Sequence, residues 1–181
     1  IRDRRNACRY HIGQLDYSEY LECEKDLAKR GPPEFTLQHE LETERLEHIN
    51  TRDCNQRAIV WQMLRDTVVK IVTNANASRA FKLKARLVQL YADIVEVGAQ
   101  YTHSLIQLRM RKDMGFNMAT PNVIDALRRT SDTIKPLLEE SERLLKEAID
   151  QEHPLLYAEA ITIQAIIIID RVVISHFLLA S

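Results

Sequence analysis

From Pro154 to Ala180 the chain reads PLLYAEAITIQAIIIIDRVVISHFLLA, and its apolar side chains would lie on every side of a helix. Pro154 suits the first turn of a helix, and no glycine or second proline follows it in this stretch. The β-branched run Ile166–Ile169 also suits a strand, but the length and the alanines favour a helix. A helix that is apolar all round has to be covered all round. We therefore expect it at the centre of a helical bundle or against another chain.

The same stretch is long enough to span a bilayer, which makes a transmembrane helix the main alternative. Asp170 and Arg171 lie side by side near its middle, and Glu159 precedes them. Each ionised side chain at the bilayer centre costs about 2.5 kcal/mol or more, and neighbours on a helix point about 100° apart. The sequence therefore disfavours a membrane span. It predicts Asp170 and Arg171 as a buried polar pair in a core helix, with partners on facing helices.

Upstream of this stretch, apolar residues at steps of three and four and helix-start signals predict three more long helices. Ser78 and Pro121 are such start signals, and Pro136 predicts a kink or a fresh start inside the helix that contains it. The result is an all-α fold, an antiparallel helical bundle. Its four long helices are predicted at about 54–73, 78–111, 121–149 and 154–180.

Residues 1–53 are predicted to form an N-terminal helical arm beside a bundle at 54–181, with both parts in one structural domain overall. Asp16 and Glu19 have the spacing of a capping box, which predicts a helix start at this point. Gly31 is followed by two prolines, which predicts the end of that helix.

Composition places the chain among soluble globular proteins, with 181 residues, 45% hydrophobic and 28% charged. A net charge of −1 predicts no global attraction to nucleic acid or to anionic membranes. The three cysteines are an odd number, which favours an intracellular, reducing compartment, either the cytoplasm or an organelle lumen. Because the chain begins at Ile1 rather than Met, we expect a processed or truncated N-terminus.

Basic and soft apolar side chains form the candidate partner-binding surface. Cations in the first turns of a helix oppose its dipole, so Arg79, Lys82 and Arg86 would serve an anionic partner. The structural alternative is a solvated face that pairs with the acidic segment 16–53. Methionine and phenylalanine in the loop after the longest helix suit partner docking or the capping of the bundle end. The complete candidate set is Arg79, Lys82, Arg86, Arg109, Arg111, Met114, Phe116 and Met118.

Catalytic and metal-binding motifs do not occur in the sequence. It contains no glycine-rich phosphate loop, no His-Glu-x-x-His pair and no nucleophile elbow. Cys8 and His11 have the spacing of two zinc ligands, but no second close pair accompanies them. The sequence therefore predicts no enzyme, no cofactor and no metal.

Together these observations predict a non-enzymatic helical-bundle module for protein interaction or structure, a subunit or scaffold domain of a larger assembly. Its partner would be another protein or a second copy of the chain. The alternative is an anion-binding module for nucleic acid or phospholipid headgroups, which would use the basic segments 79–86 and 109–112.

Overall fold

The computed structural model describes residues 9–10, 12–30, 33–113 and 121–180, and every regular element within them is an α-helix. The all-α prediction is confirmed, and each of the four long helices begins and ends within two residues of its predicted bounds. The helices, numbered in chain order, are α1 (Tyr17–Arg30), α2 (Pro33–Asn50), α3 (Cys54–Thr73), α4 (Arg79–Asp113), α5 (Pro121–Asp150) and α6 (Pro154–Ala180).

Helix starts are fixed by side chains that accept hydrogen bonds from the first backbone amides. Before α1, Asp16 accepts from the backbone N–H of Glu19 at 2.8 Å, and the Glu19 carboxylate accepts from the backbone N–H of Asp16 at 3.1 Å. The predicted capping box is therefore formed. Before α3, Asp53 accepts from the N–H of Gln56 at 2.8 Å. Ser78 does the same for α4, which confirms it as the start signal.

The chain divides into two compact units, residues 1–85 and 86–181, and the boundary falls inside α4. In the first unit α1 packs on α2, and α2 packs on α3. Leu41, Leu64 and Ile71 are fully buried in this unit. The division of the chain into an N-terminal arm at 1–53 and a bundle at 54–181 remains a prediction.

The second unit contains the remainder of α4 together with α5 and α6, and its most extensive packing is between α5 and α6. Its core includes Leu127, Ile134, Leu144, Ile167 and Ile174, all fully buried. These residues lie on α5 and α6, along the sides on which the two helices pack.

Helix α5 runs without interruption through Pro136, so the predicted fresh start does not occur. Pro136 is exposed, whereas Ile134 and Ser141 on either side of it are buried. Because most of the stability of a helix in a protein comes from packing of its apolar side, contact with α6 offsets the hydrogen bond that proline removes.

A tight turn joins α5 to α6. The N–H of Glu152 donates to the carbonyl of Ile149 at 2.9 Å, and the N–H of His153 donates to the carbonyl of Ala148 at 3.4 Å. This pair of bonds is the Schellman pattern, in which one residue adopts the left-handed conformation. Glu152 is that residue, with φ of 50°. The turn reverses the chain and lays α6 along α5.

The expectation that α6 lies at the centre of a bundle, covered on every side, is wrong for this chain. One side of α6 is buried and the other is open to solvent, and only five of the 26 residues Pro154–Leu179 are buried. The physical reason is that the second unit supplies neighbours on one side of the helix only.

Candidate docking surface on the last helix

Helix α6 has a buried side made of apolar residues at steps of three, four and seven. These residues are Leu156, Ala160, Ile163, Ile167 and Ile174, none more than 5% exposed. Such spacing produces a narrow seam along a helix, and this seam packs on α5.

The opposite side of α6, called here the outer face, is a second apolar seam with the same spacing. The outer face consists of Ala158, Ile161, Ala165, Ile168, Val172, Ser175 and Leu179, and all seven are exposed. Exposure reaches 46% for Ile168, 62% for Val172 and 89% for Leu179. Among the described residues, α6 is also the one helix whose length and composition would allow it to cross a membrane. Core helices of soluble proteins share this length and composition.

The ionisable residues Glu159, Asp170 and Arg171 lie outside the outer face. Asp170 is half-buried, and it accepts a hydrogen bond from the Tyr101 hydroxyl of α4 at 2.6 Å. Burial, with the Asp170 carboxylate as the second cause, raises the pKa of Tyr101 to about 12. The carboxylate of Asp170 therefore points into the unit rather than into solvent.

The sequence predicted that Asp170 and Arg171 are both buried, with partners on facing helices, but this is wrong for Arg171. It is exposed, because adjacent residues on a helix point about 100° apart and only Asp170 faces α4. His176, which lies at the edge of the outer face, is exposed as well.

An apolar corner continues the outer face towards the turn between α5 and α6. Leu155 is 77% exposed and Ile149 is 54% exposed. A shallow cavity of about 440 Å³ lies here, lined by Ala148, Ile149, Glu152, His153, Pro154 and Tyr157. The uncovered apolar surface thus extends from the α5 end to the last turn of α6.

Of the basic candidates at the start of α4, Arg86 is committed to contacts inside its own unit. Its guanidinium lies 2.6 Å from Glu147 and 3.4 Å from Glu140, both on α5, and its side chain is only 19% exposed. Arg79 is exposed and Lys82 is half-buried. Arg86, which was predicted to complete a basic face with Arg79 and Lys82, therefore links α4 to α5 through salt bridges.

Lys84 belongs to the same basic segment and lies 3.9 Å from Glu42 on α2. This contact is the structural alternative considered for the basic segment, pairing with the acidic residues of 16–53. The side chains of Arg109 and Arg111, and the whole of Met114, Phe116 and Met118, lie outside the described residues.

A second candidate site, which sequence reasoning missed, lies in the first unit around Glu44 of α2. Burial raises the pKa of the Glu44 carboxyl to about 7, opposed by the hydrogen bond that the Thr67 hydroxyl donates to it at 3.1 Å. The surrounding cavity has a volume of about 430 Å³. It is lined by Lys25, Lys29, Thr36, Glu40, Thr43, Glu44, Glu47, Met63 and Lys70.

The sequence does contain a signal for this cavity. Glu40, Glu44 and Glu47 are spaced by four and three residues, so they lie on one face of a helix. Across residues 9–10, 12–30, 33–113 and 121–180, no group of three or more His, Cys, Asp or Glu side chains could hold a metal ion. Cys8 and His11, the zinc candidates, fall outside these ranges.

Comparison of the chain with protein-family models, with curated proteins and with solved structures finds no match.

Proposed function

We propose that this chain is a non-enzymatic protein-interaction module, and that the outer face of α6 is its docking surface. One observation carries the proposal: a full-length helix side is apolar, free of charged residues and open to solvent. Contiguous apolar surface of several hundred Å² is uncommon on a soluble monomer and typically marks an interaction site.

The cost of leaving this side uncovered supports the proposal. Helix α6 has 27 residues and is therefore about 40 Å long. If only about 200 Å² of apolar surface leaves water when a partner binds, the gain at about 25 cal/mol per Å² is on the order of 5 kcal/mol. That gain is large relative to the marginal stability of a folded domain.

A protein partner fits better than the interior of a membrane. Helix α5 packs along α6 in the same unit and carries exposed charged side chains, among them Arg128, Arg129 and Asp132. Insertion of α6 into a bilayer with the unit intact would draw these charges towards hydrocarbon, at about 2.5 kcal/mol or more each. A protein partner covers the outer face without moving them.

The contacts of Lys84 and Arg86 likewise favour the interaction module over the anion-binding alternative, because both cations already have acidic neighbours in the fold. Free thiols at Cys23 and Cys54 support the intracellular compartment that forms part of this proposal.

Photo-crosslinking of the full chain in cells tests the proposal. A benzoyl-phenylalanine replaces Ile168, on the outer face, or Thr133, an exposed residue of α5, as the matched control. We expect protein adducts at position 168 and at least tenfold fewer at position 133. Equal yields at the two positions, or adducts of position 168 with lipid alone, would contradict the proposal.

A further inference from the structure

We propose that the partner of the outer face is the outer face of a second copy of this chain, and that the two α6 helices pair antiparallel about a two-fold axis. This inference deepens the proposed function and rests on it. It is argued from the order of small and large residues, from charge and from area.

The first part of the outer face, 158–168, alternates small and large side chains in the heptad positions that face a partner helix, and the sizes at the two positions are reversed at Val172, Ser175 and Leu179. Ala158 and Ala165 occupy one of the two positions, and Ile161 and Ile168 occupy the other. In an antiparallel pair each of the two heptad positions faces the other heptad position of the second helix. In a parallel pair each position faces itself.

An antiparallel pair centred on the helix places a small residue against a large one in its two central layers, where Ala165 faces Ile168 of the second copy. In the next layer outward Ile161 faces Val172 of the second copy. Ala158 faces Ser175 in the next layer outward. A parallel pair would stack alanine on alanine and isoleucine on isoleucine in alternate layers. The parallel pair therefore has no layer that combines a small with a large residue, and the more uniform filling of the two central layers favours the antiparallel pair.

Charge also suits a second copy. The seven residues of the outer face bear no formal charge, so self-pairing brings no like charges together. At the margin, the antiparallel register places Arg171 near Gln164 of the second copy, a neutral hydrogen-bonding side chain. Asp170 stays inside its own unit, bonded to Tyr101. A strongly charged partner would find no complementary group on this surface.

The area available meets the lower limit for a specific dimer. A helix about 40 Å long and about 10 Å wide exposes on the order of 600 Å² on its uncovered half. Two copies would bury on the order of 1,200 Å², where stable specific interfaces begin. We therefore expect a reversible dimer whose population rises with concentration. The apolar corner at Ile149 and Leu155 would add to its rim.

Single and double cysteine variants test both the partner and its direction. In a full chain whose Cys8, Cys23 and Cys54 are replaced by serine, we compare Ala158→Cys, Ser175→Cys and the double variant, each treated with a short bismaleimide. In the antiparallel pair position 158 lies beside position 175 of the second copy, while the two copies of position 158 are about 26 Å apart. The double variant should give a covalent dimer of twice 21.0 kDa, at least tenfold more than either single variant.

A parallel pair would instead link each single variant as well as the double one, which would overturn the inference. Thr133→Cys on α5 controls for random collision. Sedimentation equilibrium gives a readout without added cysteines: Ile168→Glu should weaken the dimer at least tenfold, and Thr133→Glu should leave it unchanged. Circular dichroism of each variant verifies that the helices are intact.

If the chain remains monomeric at millimolar concentration, the proposed dimer is wrong. If position 168 still crosslinks to a different protein in cells, the proposed function survives and only this inference fails. If position 168 yields no protein adduct at all, both fail together.

Discussion

Replacement of Glu44 by glutamine should stabilise the first unit above neutral pH and leave its stability nearly unchanged at pH 5. The Thr67 hydroxyl bonds to one carboxylate oxygen of Glu44, and the other oxygen is buried without a hydrogen-bond partner. Burial raises the pKa of Glu44 to about 7, and the nearby carboxylates of Glu40 and Glu47 raise it further, whereas Thr67 and Lys70 lower it. The ionised form is therefore the one that the fold disfavours.

The sign follows from proton binding in the two states. In the unfolded chain the carboxyl ionises near its ordinary pKa of 4.5, and in the folded chain it ionises near 7. Between these values the folded state holds a proton that the unfolded state has lost, so stability falls as the pH rises through this window. At about 1.36 kcal/mol per pKa unit the full loss would be slightly above 3 kcal/mol. Glu44 is only half-buried, and solvent screening reduces this to on the order of 1–2 kcal/mol.

Urea unfolding followed by the fluorescence of Trp61 measures this effect, because the single tryptophan lies in α3 of the same unit. The free energy of unfolding of the original chain and of Glu44→Gln is compared at pH 5, 6, 7 and 8. The advantage of Glu44→Gln should emerge between pH 5 and 7 and then level off. Glu22→Gln, at an exposed position of α1, is the matched control and should show no such trend. An equal difference at pH 5 and pH 8 would refute the assignment of the raised pKa to Glu44.

Three further changes test the second unit by chemical unfolding monitored by circular dichroism. Ile167→Ala should lower the free energy of unfolding by about 2–5 kcal/mol because Ile167 is fully buried. Ile168→Ala, at 46% exposure, should lower it by under about 1 kcal/mol in the monomer. Similar losses for the two variants would contradict the orientation of α6. Tyr101→Phe removes the hydrogen bond to Asp170 and should cost about 1 kcal/mol, and an unchanged midpoint would show that this bond contributes nothing. Glu152→Gly relieves the left-handed backbone at φ 50° and should stabilise the chain by about 1 kcal/mol; a loss of stability would contradict the Schellman turn.

The helices were predictable because their signals are local. Asp16, Ser78 and Pro154 mark helix starts through bonds and dihedral preferences that involve only the next few residues. Apolar steps of three and four then give the length of each helix. Pro136 led to the wrong prediction of a fresh helix start because the hydrogen bond that it removes is local. The packing of α5 on α6 that offsets this loss joins distant parts of the chain.

The two candidate sites depend on such distant contacts. Glu44 acquires its raised pKa from burial against α3, which the sequence of α2 alone does not show. The apolar composition of α6 likewise indicates how much surface needs cover and leaves open which side receives it. The position of Arg86 on its helix predicted a cation available to a partner, and only the fold reveals Glu140 and Glu147 beside it.

The positions of the charged residues on α6 say more about which side of the helix is buried than its overall composition does. In a helix at the edge of a soluble monomer, charged residues normally occupy the solvent side. Here Arg171 is exposed, as that pattern requires, but Asp170 is bonded to Tyr101 inside the unit, and Ile168 and Val172 face water. Removing Asp170 from water is costly unless it is paired, so this orientation is held by Tyr101 and by the buried seam around Ile167. Those internal contacts fix the rotation of α6 and keep the outer face turned away from its own unit, which is why we propose that another molecule covers it.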